Sequence, residues 1–242
     1  MKKFLTFVSA AALSTMLCVP AMAQDDTGIL SAIAGENGTT YANLFEVILA
    51  EEYDQVWTDL CAYLVGEEGA EEAAEGLKAS ISSEVYGEEA IEKYAEGGMA
   101  FDCWYINDAA SFTFAGDEIT VEKTDGTTET HTYEYLGVYQ VGEGETMDYM
   151  GEEYPVTFDC DVYQSTDEAG EFTYFFLRDD TMESTYHIEF RYGSDLEDLQ
   201  GYFVGPYAYW LAAGIDEAAD EDTIHDVIEL FCTENLSSEE AE

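Results

Sequence analysis

Positive charge is the scarcest thing in this 242-residue sequence: seven Lys and Arg stand against 54 Asp and Glu, a formal net charge of −47 at neutral pH. A surface of that sign repels polyanions, which excludes nucleic acid and anionic lipid as partners. Long apolar runs are also scarce. Beyond Val19 none approaches the roughly 18 uninterrupted apolar positions that a helical membrane span requires, so no membrane insertion is expected once a leader is removed. Catalytic signatures are missing as well: there is no Gly-x-Ser-x-Gly elbow, no His-Glu-x-x-His helix, no phosphate-cradling glycine loop and no Asp-x-Asp-x-Asp-Gly calcium loop. Where carboxylates are this abundant, two of them close together carry no information. The expectation is a protein that is not an enzyme.

What is there begins with a leader. Lys2 and Lys3 precede an apolar stretch from Phe4 to Val19 and the small-residue sequence Ala21-Met22-Ala23, which predicts a signal peptide over 1–23, cleaved after Ala23, and a secreted or periplasmic protein. Cys18 follows Leu17 inside the apolar stretch, not at the position of a lipid-modified cysteine. Cleavage removes two basic residues and leaves five against 54 acidic ones, a formal charge of −49. Acidic disordered chains are poor in aromatics, whereas this one has 18 Tyr, 13 Phe and 3 Trp, enough for a core. Cys61, Cys103, Cys160 and Cys232 make an even number in an exported chain, which favours two disulfides. Three connectivities exist; helix with helix (Cys61–Cys232) and strand with strand (Cys103–Cys160) is the preferred one.

Residues 24–40, with Gly28, Gly35 and Gly38, read as a loose lead-in. Helical spacing starts after Thr39 and Thr40, which can cap, with Leu44, Val47 and Ile48 on one face, then Val56, Trp57, Leu60, Cys61 and Leu64. A second helical stretch runs from about Ala70 to Glu96 and closes at Gly97-Gly98. Past Met99 the period becomes two, with Phe112 and Phe114, Ile119 and Val121, Tyr133 and Tyr135, and further strands near Val156–Tyr163, Glu171–Leu177 and Thr185–Tyr192. Asp125-Gly126 marks a hairpin whose central residues need positive φ. Ile224, Val227, Ile228, Phe231 and Cys232 lie on one face of a last helix, with Thr223 or Asp222 placed to cap it. The organisation is thus a helical subdomain over 41–98 and a β domain with a C-terminal helix over 99–242, mainly β with flanking helices.

Three histidines are present, and imidazole is the usual nitrogen ligand of zinc-like metals. His225 reads as a surface residue of the last helix, and His131, alternating with Tyr133, as a packed and hydrogen-bonded one. His187 begins His187-Ile188-Glu189 in a strand, where residues two apart face the same side and can hold one ion together. Asp179, Asp180 and Glu183 lie just upstream. The same spacing also suits a strand with one polar face beside a solvated acidic loop.

This segment resembles the ZinT family of exported bacterial zinc-binding proteins. The likeness is carried by Phe172-Thr173-Tyr174-Phe175-Phe176, then Asp179-Asp180, then His187-Ile188-Glu189-Phe190-Arg191-Tyr192-Gly193, and then Ser194-Asp195-Leu196-Glu197-Asp198-Leu199. It extends to Trp57, Tyr63-Leu64, Tyr94, Gly97-Gly98 and the Tyr133-x-Tyr135-x-Gly137 hairpin strand, covering roughly residues 41–235. The resemblance implies a lipocalin-like (calycin) antiparallel β-barrel with a small helical subdomain, binding zinc through three histidines. Aligned on Gly193, His187 takes the place of the first paired histidine and Glu189 that of the second; the loop histidine falls among Arg178, Asp179 and Asp180. One nitrogen and two carboxylates suit zinc but move preference toward harder ions such as manganese or calcium.

The expectation is therefore an exported protein that sequesters or delivers a divalent cation, with His187, Glu189 and Asp179 or Asp180 as ligands and a metal-uptake transporter component as a partner. Its rivals are a calycin-type module whose aromatic barrel binds a small apolar ligand or a surface partner, and a structural envelope protein whose acidity serves solubility.

Overall fold

The computed structural model describes residues 28–81, 86–94, 102–149, 152–178 and 185–236. The leader read over 1–23 lies outside the described residues, as do Asp179, Asp180 and Glu183. Among the described residues no helix is long and apolar enough to cross a membrane.

The expected antiparallel barrel forms. Strands β2 (Ala109–Ala115), β3 (Glu118–Lys123), β4 (Thr128–Val141), β7 (Phe158–Ser165), β8 (Tyr174–Arg178), β9 (Ile188–Gly193) and β10 (Ala212–Asp216) follow one another around the wall. Strand β1 (Thr39–Asn43) closes it by pairing with β10 on one side and β2 on the other, and β5 (Thr146–Tyr149) with β6 (Glu152–Pro155) forms a separate ribbon. Closure leaves this eight-stranded sheet with no unpaired edge.

The lumen is filled by the period-two residues. Phe112 meets Phe175, Phe190 and Tyr192 at centroid distances of 5.6, 5.2 and 4.9 Å, the first two edge-on. Phe114, Ile119 and Val121 join them with no exposure. Each such side chain contributes about 2–3 kcal/mol of hydrophobic burial. One end of the barrel is covered by α1 (Leu30–Ala34): Ile29 N–H donates to Asp161 Oδ2 at 2.7 Å and Leu30 N–H to Tyr163 Oη at 3.0 Å.

A helical layer packs on the outer face of β10, where Ala213 and Ile215 alternate with the inward Ala212. It comprises α2 (Leu44–Ile48), α3 (Asp54–Val65), α4 (Ala70–Ser80) and α7 (Glu221–Leu236), around the fully buried Trp57, whose Nε1–H donates to the Ile48 carbonyl at 2.8 Å. The described α-helices also include α5 (Gly87–Tyr94) and α6 (Leu196–Gln200), and two single 3-10 turns lie at Glu51–Tyr53 and Gly170–Phe172.

Several expectations are corrected. Residues 24–40 contain α1 and the start of β1, so the boundary expected at residue 41 falls inside a barrel strand. Asn43, not Thr39 or Thr40, caps α2, its Oδ1 accepting from Phe45 N and Glu46 N at 3.1 and 3.2 Å, because Thr39 and Thr40 belong to strand β1 and the helix starts at Leu44, the first residue of its apolar face. Within 70–96 the described residues form two helices, not one: Ile81 turns extended (φ −82°, ψ 111°) after Ser80, and a second helix starts at Gly87; the expected close at Gly97-Gly98 lies outside the described residues. The Asp125-Gly126 hairpin forms with positive φ at Gly126 alone (79°). Asp125 instead accepts from Thr127 N at 2.9 Å, as in a type I turn followed by a glycine bulge. Cys103 sits in an irregular segment, not a strand. Cys61 and Cys232 do meet across α3 and α7, Sγ to Sγ 4.0 Å, but as thiols; among the described residues no cysteine pair is bonded.

Candidate metal centre

Strands β8 and β9 position the candidate residues. They pair in the register Phe175↔Tyr192 and Leu177↔Phe190. With Phe190 and Tyr192 ringed by lumen aromatics, alternation along β9 sends Glu189 and Arg191 to the outer face, beside Arg178, while His187, expected inside the strand, lies one residue before it in a turn and next to Glu189. Glu189 also lies opposite Ala213 of β10, at the edge of the helical layer.

His187 is oriented by its own turn. Its Nδ1 lies 2.7 Å from the Thr185 carbonyl, while Thr185 Oγ1 donates to the His187 carbonyl at 2.9 Å. Tyr186 between them takes a positive φ of 63°, uncommon for a non-glycine residue. Donation from Nδ1–H to that carbonyl fixes the tautomer and leaves the Nε2 lone pair as the ligand-capable atom. Nε2 faces Glu189 Oε1 at 3.7 Å, with the two side chains 16% and 19% exposed. Two donors bound at about 2.0–2.1 Å to one tetrahedral ion stand roughly 3.4 Å apart, so the pair fits a zinc-like cation with a small closing movement.

The other carboxylate oxygen is engaged. Arg178 Nη1 donates to Glu189 Oε2, and the Arg178 guanidinium lies 4.9 Å from the centroid of Phe158. Arg191, the other arginine of the chain, approaches the same ring at 5.9 Å and Tyr202 at 5.5 Å. Its Nη1 donates to the carbonyls of Leu199 and Gly201 on the segment that covers it. Burial pulls Arg191 down to about 10 from its ordinary value, which still leaves it a cation at neutral pH. Cys160, opposite Arg178 in the ladder, is pushed up to about 12 by burial. Cys103 is held well above the usual thiol range by burial and by Glu189 and Asp102.

The structure thus brings His187 and Glu189 together, while the loop donors Asp179 and Asp180 lie outside the described residues. His131 is packed and hydrogen-bonded as expected, Nδ1 2.9 Å from Asp167 Oδ1 with the side chain 10% exposed. His225 is a surface residue, and its ring joins Asp226 and Glu229 in the one three-donor group found among the described residues. Those side chains are 46–54% exposed on a helix face, where water competes for any ion. Sequence reasoning missed the Arg191 cation beneath Tyr202. Its one signal was an arginine alternating with Glu189 in a chain almost devoid of arginine.

No family model matches the sequence, and no curated protein does. Among solved structures the chain is similar to the Zn(II)-bound ZinT-like domain of Streptococcus pneumoniae AdcA, with 14% identity and a TM-score of 0.48 over 87% of this chain and 92% of that one. It is also similar to Zn(II)-bound AdcA from the same organism, with 14% identity and a TM-score of 0.46 over 87% of this chain and 40% of that one.

Proposed function

We propose that this chain is an exported protein that binds a divalent cation, zinc foremost, at His187 and Glu189, with Asp179 or Asp180 as the further carboxylate, and that it sequesters the ion or passes it to a metal-uptake transporter component. The observation that carries the reading is the pairing of a tautomer-fixed imidazole nitrogen with a carboxylate oxygen 3.7 Å away where the turn enters β9, both largely shielded from water. The residue pattern around Gly193 that resembles the ZinT family supports it, as does the closed barrel that the resemblance implies. Binding is the role proposed for this pair, and burial holds the neighbouring Cys103 and Cys160 thiols above their ordinary range, which gives no support to thiol chemistry there. The small-ligand reading draws less support, because the rings that would line a ligand cavity pack on one another.

Titration calorimetry with zinc on residues 24–242 at physiological ionic strength tests the proposal. A single site is expected, and His187→Ala should weaken it by about a hundredfold or more. Uptake that is weak, multi-site, salt-sensitive and indifferent to His187→Ala would sink it, since 54 carboxylates collect cations without any built site.

A further inference from the structure

In a chain of such charge, attracting cations is easy and rejecting the wrong ones is the harder task. Calcium and magnesium are drawn to the surface field as strongly as zinc, so discrimination must come from the site itself. The feature suited to it is the ion pair on Glu189. Arg178 Nη1 donates to Oε2 while Oε1 faces the imidazole, so the ligand carboxylate is shared between a protein cation and His187. A guanidinium keeps its charge at any pH at which the carboxylate is ionised, and its flat face is held over Phe158 at 4.9 Å, which keeps it at its post.

We infer that Arg178 is a specificity-determining residue of the site: a tethered competitor that holds Glu189 against hard ions and yields it only to a cation that also bonds His187 Nε2. The inference rests on the metal-binding reading. A calcium ion gains from carboxylate oxygens and little from imidazole, so it must take Glu189 from Arg178 without a nitrogen bond to offset the loss. A zinc-like ion gains the nitrogen bond as well, which offsets the lost ion pair. Arg191 has no equivalent part, being turned to the Leu199 and Gly201 carbonyls.

The experiment is calorimetric titration with zinc chloride and, separately, calcium chloride on the parent, Arg178→Gln, Arg178→Lys and His187→Ala, each checked for folding by thermal melting. In the parent, His187-dependent zinc binding and no calcium binding at that site are expected. Arg178→Gln should bind zinc about tenfold tighter and acquire a calcium site of one ion per chain, whereas Arg178→Lys, which keeps the charge, should still exclude calcium. Where Gln unfolds the protein, Arg178→Met retains the apolar stem over Phe158 and takes its place with the same expected gains. If the parent binds zinc through His187 yet removal of the Arg178 charge leaves both affinities unchanged or weaker, the inference is overturned and the metal-binding reading stands. If Lys admits calcium as well as Gln does, charge is not the filter and the inference is again overturned. Zinc uptake unaffected by His187→Ala overturns both.

Discussion

At Gly28 the backbone is held where no side chain fits. Its φ is 61°, and a Cβ would meet Tyr163 Oη at 2.2 Å and Asp161 Oδ2 at 2.7 Å. Those two atoms are the acceptors for the N–H groups of Leu30 and Ile29, so displacing the chain to relieve the clash breaks the bonds that seat α1 on the barrel. Gly28→Ala is therefore expected to cost about 2 kcal/mol or more, read as a lowered urea midpoint at unchanged slope. Parent-like stability would show that the segment is not anchored there. The Thr185–His187 turn follows the same logic with the opposite sign of tolerance, for Tyr186 accepts its positive φ while two hydrogen bonds on either side of it aim the imidazole.

Among the elements, α7 shows where capping is decided. Asp220, just outside the helix, accepts from Thr223 N at 2.9 Å and Thr223 Oγ1 at 2.8 Å, which satisfies an orphan N–H and places a negative charge at the positive helix end. Hydrogen bonds from Thr223 hold the Asp220 carboxyl below the usual carboxylate range. Asp220→Ala should lower the melting temperature, while Asp222→Ala leaves it near the parent value; equal effects would shift the cap to Asp222. The sequence pattern pointed to Asp222 or Thr223 because the apolar stripe begins at Ile224, but the helix runs a turn further back than its stripe. Strands with one buried aromatic face, such as β2 and β9, were legible because burial imposes period two. β1 and β10 were not: Thr-Thr-Tyr-Ala-Asn and Ala-Ala-Gly-Ile-Asp are too short and small to show it, and they become strands by pairing with each other across the barrel closure. The candidate site divides the same way. His187 and Glu189 are two apart in the sequence, one in the turn before β9 and one in the strand, and could be read directly, whereas the grip of Arg178 comes from ladder register, and the burial of Arg191 from a segment eight to ten residues away folding back over it.

The whole molecule carries its negative charge around a tyrosine-rich core, and the two features meet at alkaline pH. Burial, reinforced by Asp216, raises Tyr41 to about 12, and burial likewise raises Tyr133, Tyr163 and Tyr207 well above the ordinary phenol value. Tyr105 and Tyr192 are likewise held well above the ordinary phenol value, chiefly by burial. A raised folded-state value means that the unfolded chain releases its phenolic protons first, near pH 10, while the folded chain keeps them. Stability from these groups is therefore fully present below about pH 10 and is lost as pH climbs toward and past 12. Each tyrosinate formed also adds to a formal charge that already stands at −47, so ionisation of one core phenol favours opening of the rest. The melting temperature is expected to hold level from neutrality to about pH 10 and then fall steeply. Phenolate absorption should rise in two stages, exposed tyrosines first and the core set only with unfolding. A single smooth titration at the ordinary phenol value, with no change in melting, would mean that the barrel lumen admits water and that its aromatic packing does not exclude the ionised form.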